Sequence, residues 1–410
     1  MSESTDPARI GLLGRGTVGG AFHDLLTERS DALEAATGRR PEIGGVLRRS
    51  EGEFDQILES SEIVVELMGG TDPARDYVLR ALQAGKHVVT ANKQLVAQHG
   101  DELFAAAREA GVQLRFEAAV AGVVPVIRVI SESLAGTEIT KVFGIVNGTT
   151  NFILTEMART GAEFGQVLAR AQELGFAEAD PTDDVGGADA AAKMAILSRL
   201  AFHAPVQLSD VSYEGITEIQ PDDIAYAKEL GLSLKLLGVA ERVSDGIRAR
   251  VFPCFLYAGH PLAPVEGPFN AVMVQAPAIT EITISGPGAG GVETATAVLG
   301  DRASILSGSA PVPEANERLA IVRDFHSSFY LHLEVADEPG VLARIAEVLG
   351  ENEISVRSVV QRGSGPDARL VMVMHECAEE RFYNALERIG ALDFMRSAPR
   401  AMRVIEEEFG

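Results

Sequence analysis

A glycine-rich turn near the start of the chain constrains the fold more than any other feature. The apolar run Arg9–Leu13 leads into Gly14-Arg15-Gly16-Thr17-Val18-Gly19, and the helical pattern Val18–Glu28 follows. In such a turn the first glycine allows the sharp bend, the second lets the backbone approach a pyrophosphate, and the third lets the helix pack on the strand. The N–H groups and the dipole of the helix start then attract phosphates. The turn therefore predicts a dinucleotide site, and a turn without a ligand is the disfavoured alternative.

The first third of the chain continues this alternation of strands and helices. Strands are predicted for Arg9–Leu13, Glu42–Leu47, Ile63–Leu67, His87–Thr90 and Gln113–Glu117. Helices are predicted for Val18–Glu28, Ala74–Ala84 and Gly100–Ala110. Strand–helix–strand alternation favours a parallel sheet with crossover helices, the α/β class.

The rest of the chain predicts two further regions and a linker. In the middle third, strands are predicted for Glu138–Asn147, Ile247–Leu256 and Ala278–Ser285, and helices for a segment that begins at Asn147 and for Glu163–Leu174, Ala188–Phe202 and Glu293–Leu306. The stretch Ser307–Glu314 is rich in Ser, Gly and Pro and is typical of a linker. Six elements follow in the β-α-β-β-α-β order of a ferredoxin-like domain: Tyr330–Val335, Val341–Leu349, Ile354–Val360, Ala368–His375, Glu379–Ile389 and Met402–Glu406.

The charge balance excludes some classes of partner. Lys and Arg total 36 and Asp and Glu total 59, so the net charge is −23. Such a surface repels nucleic-acid phosphates and anionic membranes. No apolar run approaches the roughly 18 residues that a membrane span needs. The two cysteines, Cys254 and Cys377, lack zinc-site spacing, which fits a reducing, cytoplasmic location.

Two arginines bear on the choice of dinucleotide. Arg48 and Arg49 follow the second predicted strand, where an NAD-selective site usually carries an acid that binds the ribose hydroxyls. Guanidinium groups instead suit the 2′-phosphate of NADP. The sequence therefore predicts a preference for NADP, with Arg48 as the preferred residue and NAD as the alternative cofactor. The competing interpretation is that both arginines are solvated surface residues.

The segment Gly175–Lys193 carries the densest cluster of reactive groups, and its part Glu178–Gly187 is predicted as a loop. Asp189 and Lys193 come after this loop and are four residues apart on a predicted helix, so they share one face of it. The same face continues with apolar residues. Desolvation there favours a neutral amine that suits acid–base catalysis. The neighbouring carboxylates instead favour the charged form of Lys193, and they are suited to binding a substrate ammonium group. The alternative is a surface ion pair that contributes a few tenths of a kcal/mol.

Two other segments carry candidate groups. Asn92-Lys93 follows the strand His87–Thr90 and so lies at the carboxyl edge of the sheet, where open α/β sheets bind ligands. Glu117 is the one charged residue of the apolar stretch 116–125, and a buried carboxylate needs a partner. With backbone carbonyls from a nearby turn it would form an oxygen site for a hard cation. For Lys93 the alternative is an ordinary loop lysine without a role in binding. For Glu117 the alternative is that a distant arginine pairs with its carboxylate.

Together and in this order, these stretches resemble homoserine dehydrogenase over essentially the whole chain. The combination of Asn147–Phe152, Glu178–Lys193 and Asn92-Lys93 is highly specific for that family, and the tail resembles an ACT domain entered at Asp337–Leu342. The resemblance implies a Rossmann-type nucleotide-binding domain (1–130, with a return helix 290–306), an α+β catalytic and dimerisation domain (131–289), a linker (307–326) and a ferredoxin-like ACT domain (327–410).

The family reversibly interconverts L-homoserine and L-aspartate 4-semialdehyde with NAD or NADP, on the route to threonine, methionine and isoleucine. The resemblance implies that Lys193 is the acid–base residue. It places Lys93 between nicotinamide and substrate, to polarise the carbonyl or share the proton transfer. The substrate-binding set it implies is Glu178 and Asp189, at the amino group, with Asp184 and Thr149. The predicted cofactor-binding set is Gly14, Gly16, Thr17, Val18, Gly19, Arg48, Gly69, Thr90, Lys93, Gly175 and Gly290.

The resemblance also implies further partners. A structural monovalent cation, usually sodium, would be held by Glu117 and the carbonyl groups of Val120, Gly122 and Val124. The middle sheet would pair with a second subunit, giving a homodimer or homotetramer, and the ACT domain would bind threonine or serve only in assembly.

Two rival functions are weighed against this one. The first is a catalytically inactive amino-acid sensor with Rossmann and ACT domains, and the full set of lysines and acids argues against it. The second is aspartate-semialdehyde dehydrogenase, which requires a nucleophilic cysteine. The apolar setting of Cys254 argues against that activity.

Overall fold

The structure is a computed structural model that describes residues 6–48, 51–313, 315, 317–365 and 368–405. It divides into two compact units. The first comprises Met1–Ile219, Leu236–Phe252 and Val265–Ile321, and the second comprises Gln220–Lys235, Pro253–Pro264 and Val322–Gly410. None of the helices in the described ranges combines the length and apolar character that a bilayer crossing requires.

The first third of the chain forms a parallel sheet with helices between its strands. The strands are β1 (Ala8–Leu13), β2 (Pro41–Leu47), β3 (Ile63–Glu66), β4 (His87–Thr90) and β5 (Leu114–Arg115). The helices are α1 (Thr17–Glu28), α2 (Ser30–Thr37), α3 (Phe54–Ser60), α4 (Ala74–Gln83) and α5 (Lys93–Ala110). The strand order is β2-β1-β3-β4-β5, so the direction of winding reverses at β1. A crevice at the carboxyl end of β1 follows from this topology and is the usual ligand position in such sheets.

The middle of the chain forms an antiparallel sheet and most of the remaining helices. The helices are α6 (Val126–Arg128), which continues as the π turn Val129–Ser133, then α7 (Gly148–Thr160), α8 (Phe164–Glu173), α9 (Thr182–Val185), α10 (Ala188–Phe202), α11 (Pro221–Glu229) and α12 (Gly291–Leu306). The strands are β6 (Lys141–Ile145), β7 (Ser212–Tyr213), β8 (Leu232–Val243), β9 (Gly246–Tyr257), β10 (Phe269–Ala276) and β11 (Thr280–Pro287). Within the first unit the order is β11-β10-β6-β8, with antiparallel neighbours.

Helix α12 packs against the parallel sheet. Ala295 and Val298 are buried in one apolar cluster with Ile10 of β1 and Phe22 of α1. Because residues three apart share a helix face, α12 presents a small apolar stripe to β1 and α1. The helix thereby closes one side of the crevice at the end of β1.

Three predicted boundaries are wrong for identifiable reasons. Helix α5 begins at Lys93 rather than at Gly100, because the Asn92 side chain accepts the Leu95 N–H at 3.1 Å and caps it. The strand predicted as Gln113–Glu117 is confined to Leu114–Arg115, since Glu117 starts a 3₁₀ turn. The loop predicted for Glu178–Gly187 contains α9.

The second unit contains the predicted β-α-β-β-α-β domain. After β12 (Ala320–Ile321) of the first unit, its elements are β13 (His326–Glu334), α13 (Val341–Glu351), β14 (Val356–Arg362), β15 (Arg369–Met374), β16 (Cys377–Ala378), α14 (Glu379–Gly390) and β17 (Arg400–Ile405). The antiparallel strand order is β17-β13-β15-β14. Phe329 and Leu331 of β13 are buried with Ile345 of α13 and Phe382 of α14, so both helices cover one face of the sheet.

Candidate active site

The glycine turn after β1 has the geometry that a pyrophosphate needs. Gly14 has a φ of 95°, and a Cβ there would lie 2.6 Å from the Leu67 carbonyl oxygen. A Cβ at Gly19 would lie 2.1 Å from the Gly14 carbonyl oxygen, whereas a Cβ at Gly16 would have no atom within 4 Å. Packing therefore requires two of the glycines, and the middle one leaves open space beside α1. Across the described residues no side chain caps α1, and its first turn carries no acid, so its N–H groups suit a phosphate.

Alanine at Gly19 and alanine at Gly16 are expected to act differently. In Gly19→Ala the new methyl meets backbone, and overpacking of this kind costs about 1–3 kcal/mol of stability or more. In Gly16→Ala folding should be unaffected, and dinucleotide affinity should fall about 10-fold or more, as one misplaced methyl group can cause. Thermal unfolding and a titration of NADPH fluorescence measure the two effects. Unchanged NADPH affinity in Gly16→Ala would contradict the proposed approach of the pyrophosphate.

A buried carboxylate at the start of α10 joins the two predicted lysines. Asp189 is 4% exposed. Its Oδ1 atom lies 2.6 Å from Lys93 Nζ, and its Oδ2 atom lies 2.7 Å from Lys193 Nζ. Lys193 Nζ also donates to the Val146 carbonyl oxygen at 2.7 Å. The alternative of a surface ion pair between Asp189 and Lys193 is therefore wrong.

The charges of this cluster fix its protonation. Burial raises the pKa of Asp189, but the ammonium groups of Lys193 and Lys93 outweigh burial and hold that pKa well below its usual range. Burial alone would lower the pKa of Lys93. The carboxylates of Asp189 and Asp184 outweigh burial, so the pKa of Lys93 lies above its ordinary value. At neutral pH Asp189 is thus a carboxylate and Lys93 an ammonium group.

Asn147 is a further member of this cluster, and its sequence pattern did not predict a role in the site. Its Nδ2 atom donates to Asp184 Oδ1 at 2.7 Å and to Asp189 Oδ2 at 2.8 Å. Its Oδ1 atom accepts the Thr150 N–H at 2.8 Å and so caps α7. The Asn-Gly step before a helix indicated the cap. Nothing in the local sequence indicated the two acids, which approach from α9 and α10.

A cavity of about 540 Å³ opens beside the cluster. Its wall includes Gly69, Lys93, Glu178, Asp184 and Asp189, and Lys193 reaches this wall through Asp189. Glu178 is exposed there, whereas burial and the charge of Asp189 raise the pKa of Asp184. The structure thus brings together residues that the sequence placed in three separate segments.

Thr149 and Gly175 lie close to the same acids. The Thr149 hydroxyl lies 2.7 Å from the Phe176 carbonyl oxygen, to which it donates, and 3.3 Å from Asp184 Oδ2. Gly175 has a φ of 77° and follows α8, so it turns the chain toward Phe176. Thr149 is thus held between the turn after α8 and the acid of α9.

The remaining predicted cofactor residues lie at the ends of separate strands and helices. Gly290 precedes α12, and a Cβ at the next residue, Gly291, would lie 3.1 Å from Thr17 Cγ2. Thr90, at the end of β4, is fully buried and its hydroxyl donates to Glu66, so its side chain is not placed to contact a cofactor directly as predicted. Arg48 follows β2, is exposed and pairs with Glu51 at 3.1 Å. Its neighbour Arg49 lies outside the described residues.

Three regions of the chain match models of known protein families. Residues 14–117 match the NAD-binding domain of homoserine dehydrogenase, residues 125–302 match homoserine dehydrogenase, and residues 330–394 match the ACT domain. A homoserine dehydrogenase of Corynebacterium glutamicum is 42% identical over 422 residues, which cover 96% of this chain and 95% of that protein. The chain belongs to the homoserine dehydrogenase family.

Solved homoserine dehydrogenases share the fold. One from Thiobacillus denitrificans matches with a TM-score of 0.92 at 36% identity and covers 98% of this chain and 99% of its own. A hyperthermophilic archaeal homoserine dehydrogenase in complex with NADPH matches with a TM-score of 0.65 at 26% identity, covering 75% of this chain and 100% of its own. The chain is an NAD(P)-dependent oxidoreductase that reversibly interconverts L-homoserine and L-aspartate 4-semialdehyde in amino-acid biosynthesis.

Membership of the homoserine dehydrogenase family sets the two rivals aside. The inactive sensor is not needed, since the comparisons identify the enzyme over nearly the whole chain. Cys254 is 0% exposed, so it is not placed to attack a substrate as the nucleophile of aspartate-semialdehyde dehydrogenase must.

The loop that the resemblance assigns to a cation offers oxygen ligands. Glu117 is 3% exposed, and its carboxylate accepts the N–H groups of Ile127 and Arg128 at 2.8 and 3.0 Å rather than a distant arginine side chain. Burial and the neighbouring Asp301 carboxylate raise the pKa of Glu117 to about 7. Gly122 has a φ of 65°. In the described ranges no group of three or more His, Cys, Asp or Glu side chains could hold a metal ion, so a cation here depends on one carboxylate and backbone carbonyls, a donor set that suits a hard cation.

Proposed function

We propose that Lys193 carries the proton of the reaction and that Lys93 polarises the reacting oxygen. The observation that carries this proposal is the pair of contacts through which Asp189 holds both amines. An ammonium group has three donors, and Lys193 uses two of them on Val146 and Asp189. One N–H is then available for the substrate oxygen. Because acids keep Lys93 charged, its role is electrostatic.

The bound nicotinamide supplies or accepts the hydride. On aldehyde reduction the Lys193 ammonium group donates a proton to the oxygen, and on homoserine oxidation the neutral Lys193 amine takes the hydroxyl proton. Measuring turnover in Lys193→Ala and Lys93→Ala by absorbance of the reduced nicotinamide, with homoserine as substrate, tests this division of roles.

We infer that the acidic wall of the cavity binds the substrate amino group. Glu178 is exposed at the cavity, so its carboxylate is accessible to an ammonium group. Asp189 contributes charge while it holds the lysines. Asp184, fixed by Asn147, and the Thr149 hydroxyl border the same space. This arrangement supports the substrate-side roles predicted for the four residues.

We propose NADP as the preferred cofactor, with Arg48 as the residue that selects it. Arg48 lies at the carboxyl end of β2, where a 2′-phosphate approaches in this fold. The archaeal relative in complex with NADPH supports use of that dinucleotide in the family. Arg48 is exposed and pairs with Glu51, so a phosphate would compete with one carboxylate for the guanidinium group.

Arg48→Ala is expected to lower kcat/KM for NADPH roughly 10- to 100-fold, the effect of losing a charge-assisted hydrogen bond. The value for NADH should stay unchanged. Arg9→Ala is a matched control, since Arg9 pairs with Glu42 at the other end of the same two strands. Steady-state kinetics with both cofactors provide the measurement. An equal fall for NADPH and NADH, or no fall, would remove Arg48 from the selection of cofactor.

We propose that Glu117 and the carbonyl groups of Val120, Gly122 and Val124 hold sodium. The cation would offset the buried charge of Glu117 and fix the loop before α6. Replacing choline chloride by sodium chloride at equal ionic strength should raise the midpoint of thermal unfolding, since a ligand at 100 times its Kd stabilises by about 2.7 kcal/mol. Glu117→Gln should abolish the sodium-specific part. Equal midpoints in the two salts for the wild type would count against the site.

We propose that the C-terminal domain binds threonine at the start of α13. Gly340, with a φ of 94°, turns the chain into this helix, whose first N–H groups suit a carboxylate. A cavity of about 390 Å³ borders this turn. Titration calorimetry of the full chain with threonine tests the proposal, and the absence of heat would favour a role in assembly only.

We propose a homodimer or homotetramer, because β11 lies at the end of its strand order with exposed residues along it, and light scattering measures the assembly mass. The predicted domain boundaries (1–130 with 290–306, 131–289, 307–326 and 327–410) and the cytoplasmic location stay predictions.

A further inference from the structure

Glu66 is a fully buried carboxylate that the reaction itself does not use. It is the last residue of β3, is 0% exposed and pairs in register with Thr90 at the end of β4. The two side chains therefore meet at the carboxyl edge of the sheet. An ionised carboxylate in such a place is unfavourable unless donors surround it. Its donors therefore indicate its role.

One oxygen of Glu66 holds the turn that follows β3. The Oε1 atom accepts the Met68 N–H at 2.7 Å, and the Gly69 N–H also bonds to this carboxylate. Gly69 and Gly70 have φ values of 75° and 70°, so the turn is left-handed at two successive residues. Both glycines line the cavity beside the lysines. Glu66 thus fixes one wall of that cavity.

The other oxygen of Glu66 supports the segment that carries Lys93. Its Oε2 atom accepts the Thr90 hydroxyl at 2.5 Å, and Thr90 Oγ1 in turn accepts the Asn92 N–H at 3.0 Å. Asn92 caps α5, and its Nδ2 atom donates to the Gly70 carbonyl oxygen at 2.5 Å. The two segments are therefore bonded to one another as well as to Glu66.

We propose that Glu66 is a positioning residue for the known reaction. Its carboxylate holds the turn Met68–Gly70 and the segment Asn92-Lys93 in one arrangement, in which Lys93 meets Asp189 and the turn faces the cofactor. The inference rests on the proposed roles of Lys93 and of Gly69. It adds a residue that touches neither substrate nor cofactor and acts through both segments.

Glu66→Gln tests the proposal because the shape stays and one acceptor becomes a donor. An amide cannot accept from both the main-chain N–H groups and the Thr90 hydroxyl. We expect kcat to fall about 10-fold or more and the Kd for NADPH to rise about 10-fold, the order of one or two lost bonds to a charged acceptor. NADPH fluorescence reports Kd cleanly, since the chain has 0 Trp. Glu62→Gln is the matched control at the other end of β3, where Glu62 pairs with Arg39 at 2.9 Å, and it should leave both constants unchanged.

Thr90→Val separates the two arms of the network. Thr90 is 0% exposed, so its hydroxyl acts through Glu66 and Asn92 rather than by direct contact with a ligand. We expect a lower kcat with little change in the Kd for NADPH, because the turn Met68–Gly70 keeps its own bonds. The double variant should show less than the sum of the two effects, as residues of one network do.

Three results would overturn the proposal. The first is a folded Glu66→Gln with wild-type kcat and wild-type Kd for NADPH. The second is a lowered midpoint of thermal unfolding alone, which indicates only a structural role. The third, which applies if Glu66→Gln does not fold, is Thr90→Val with wild-type kcat. Lys93→Ala with full turnover would instead refute the proposed role of Lys93, and the Kd for NADPH in Glu66→Gln would still test Glu66.

Discussion

Lys193→Ala is expected to lower kcat for homoserine oxidation by about 10²–10⁴-fold, the usual contribution of a positioned acid–base group. Lys193 is 13% exposed and is held by Val146 and Asp189, so its amine has a defined direction. Without it, the nearest amine is Lys93, which the surrounding acids keep protonated. Lys93 cannot take the hydroxyl proton readily in that state. The KM for homoserine should change much less than kcat.

Lys93→Ala should also lower kcat, by about 10²–10³-fold, as the loss of one electrostatic donor to a reacting oxygen does. Lys228→Ala is the control, since that lysine is exposed on α11 and should leave kcat unchanged. Steady-state and single-turnover kinetics of the three variants give the comparison. Near-normal turnover in Lys193→Ala together with loss in Lys93→Ala would reverse the assignment of the proton-carrying residue.

Asp189→Asn is expected to have the second large effect. The buried Asp189 carboxylate contacts Lys93 with one oxygen and Lys193 with the other, and Asn147 also donates to it. An amide presents N–H donors to one of the ammonium groups, so that lysine loses its partner and moves. We expect kcat to fall about 100-fold or more, and the free energy of unfolding to fall by about 1–3 kcal/mol, as for a buried polar group left unsatisfied.

Asp101→Asn is the matched control for this substitution. Asp101 pairs at 2.5 Å with Arg199 of the same helix, α10, away from the cavity. Loss of this ion pair should lower the free energy of unfolding slightly and leave kcat unchanged. Kinetics and chemical denaturation measure both quantities. Wild-type kcat in Asp189→Asn would contradict the role of the shared carboxylate.

The pH dependence of the cluster has a definite sign. The pKa of Asp189 in the folded chain lies below its ordinary value of about 4. Its ion pairs therefore contribute stability above that value and lose it as the pH falls through the folded pKa. The pKa of Lys93 is raised, so its contribution persists until the pH rises above the ordinary lysine range. Between these limits the charges of Asp189 and Lys93 stay constant.

Periodicity predicted the elements with long, regular apolar patterns. Helix α10 has both ends where the sequence placed them, at Ala188 and Phe202, because an alanine-rich apolar run follows a glycine pair. The strands β8 and β10 were not predicted. Both are buried on both faces over most of their length, so they lack the alternation that marks a half-buried strand. The short helices α2, α3 and α11 were also not predicted, since helices of this length show too few turns for a clear apolar period in the sequence.

The site residues were predictable where the relevant residues lie close together in the sequence. The glycine turn and the pair Asp189 and Lys193 are local patterns, so spacing alone indicated them. Asn147 was not predictable, since its partners Asp184 and Asp189 are 37 and 42 residues away along the chain. Glu66 was part of an apolar strand, and only the sheet register brings it to Thr90. Contacts of this kind depend on tertiary packing.

The most direct test of the role of Lys193 is a crystal structure of the chain with NADP and homoserine bound. We expect Lys193 Nζ within hydrogen-bond distance of the homoserine hydroxyl, at about 3 Å, and still in contact with Asp189, with the nicotinamide ring across the substrate. A structure in which Lys193 points into bulk solvent, remote from that ring, would contradict it.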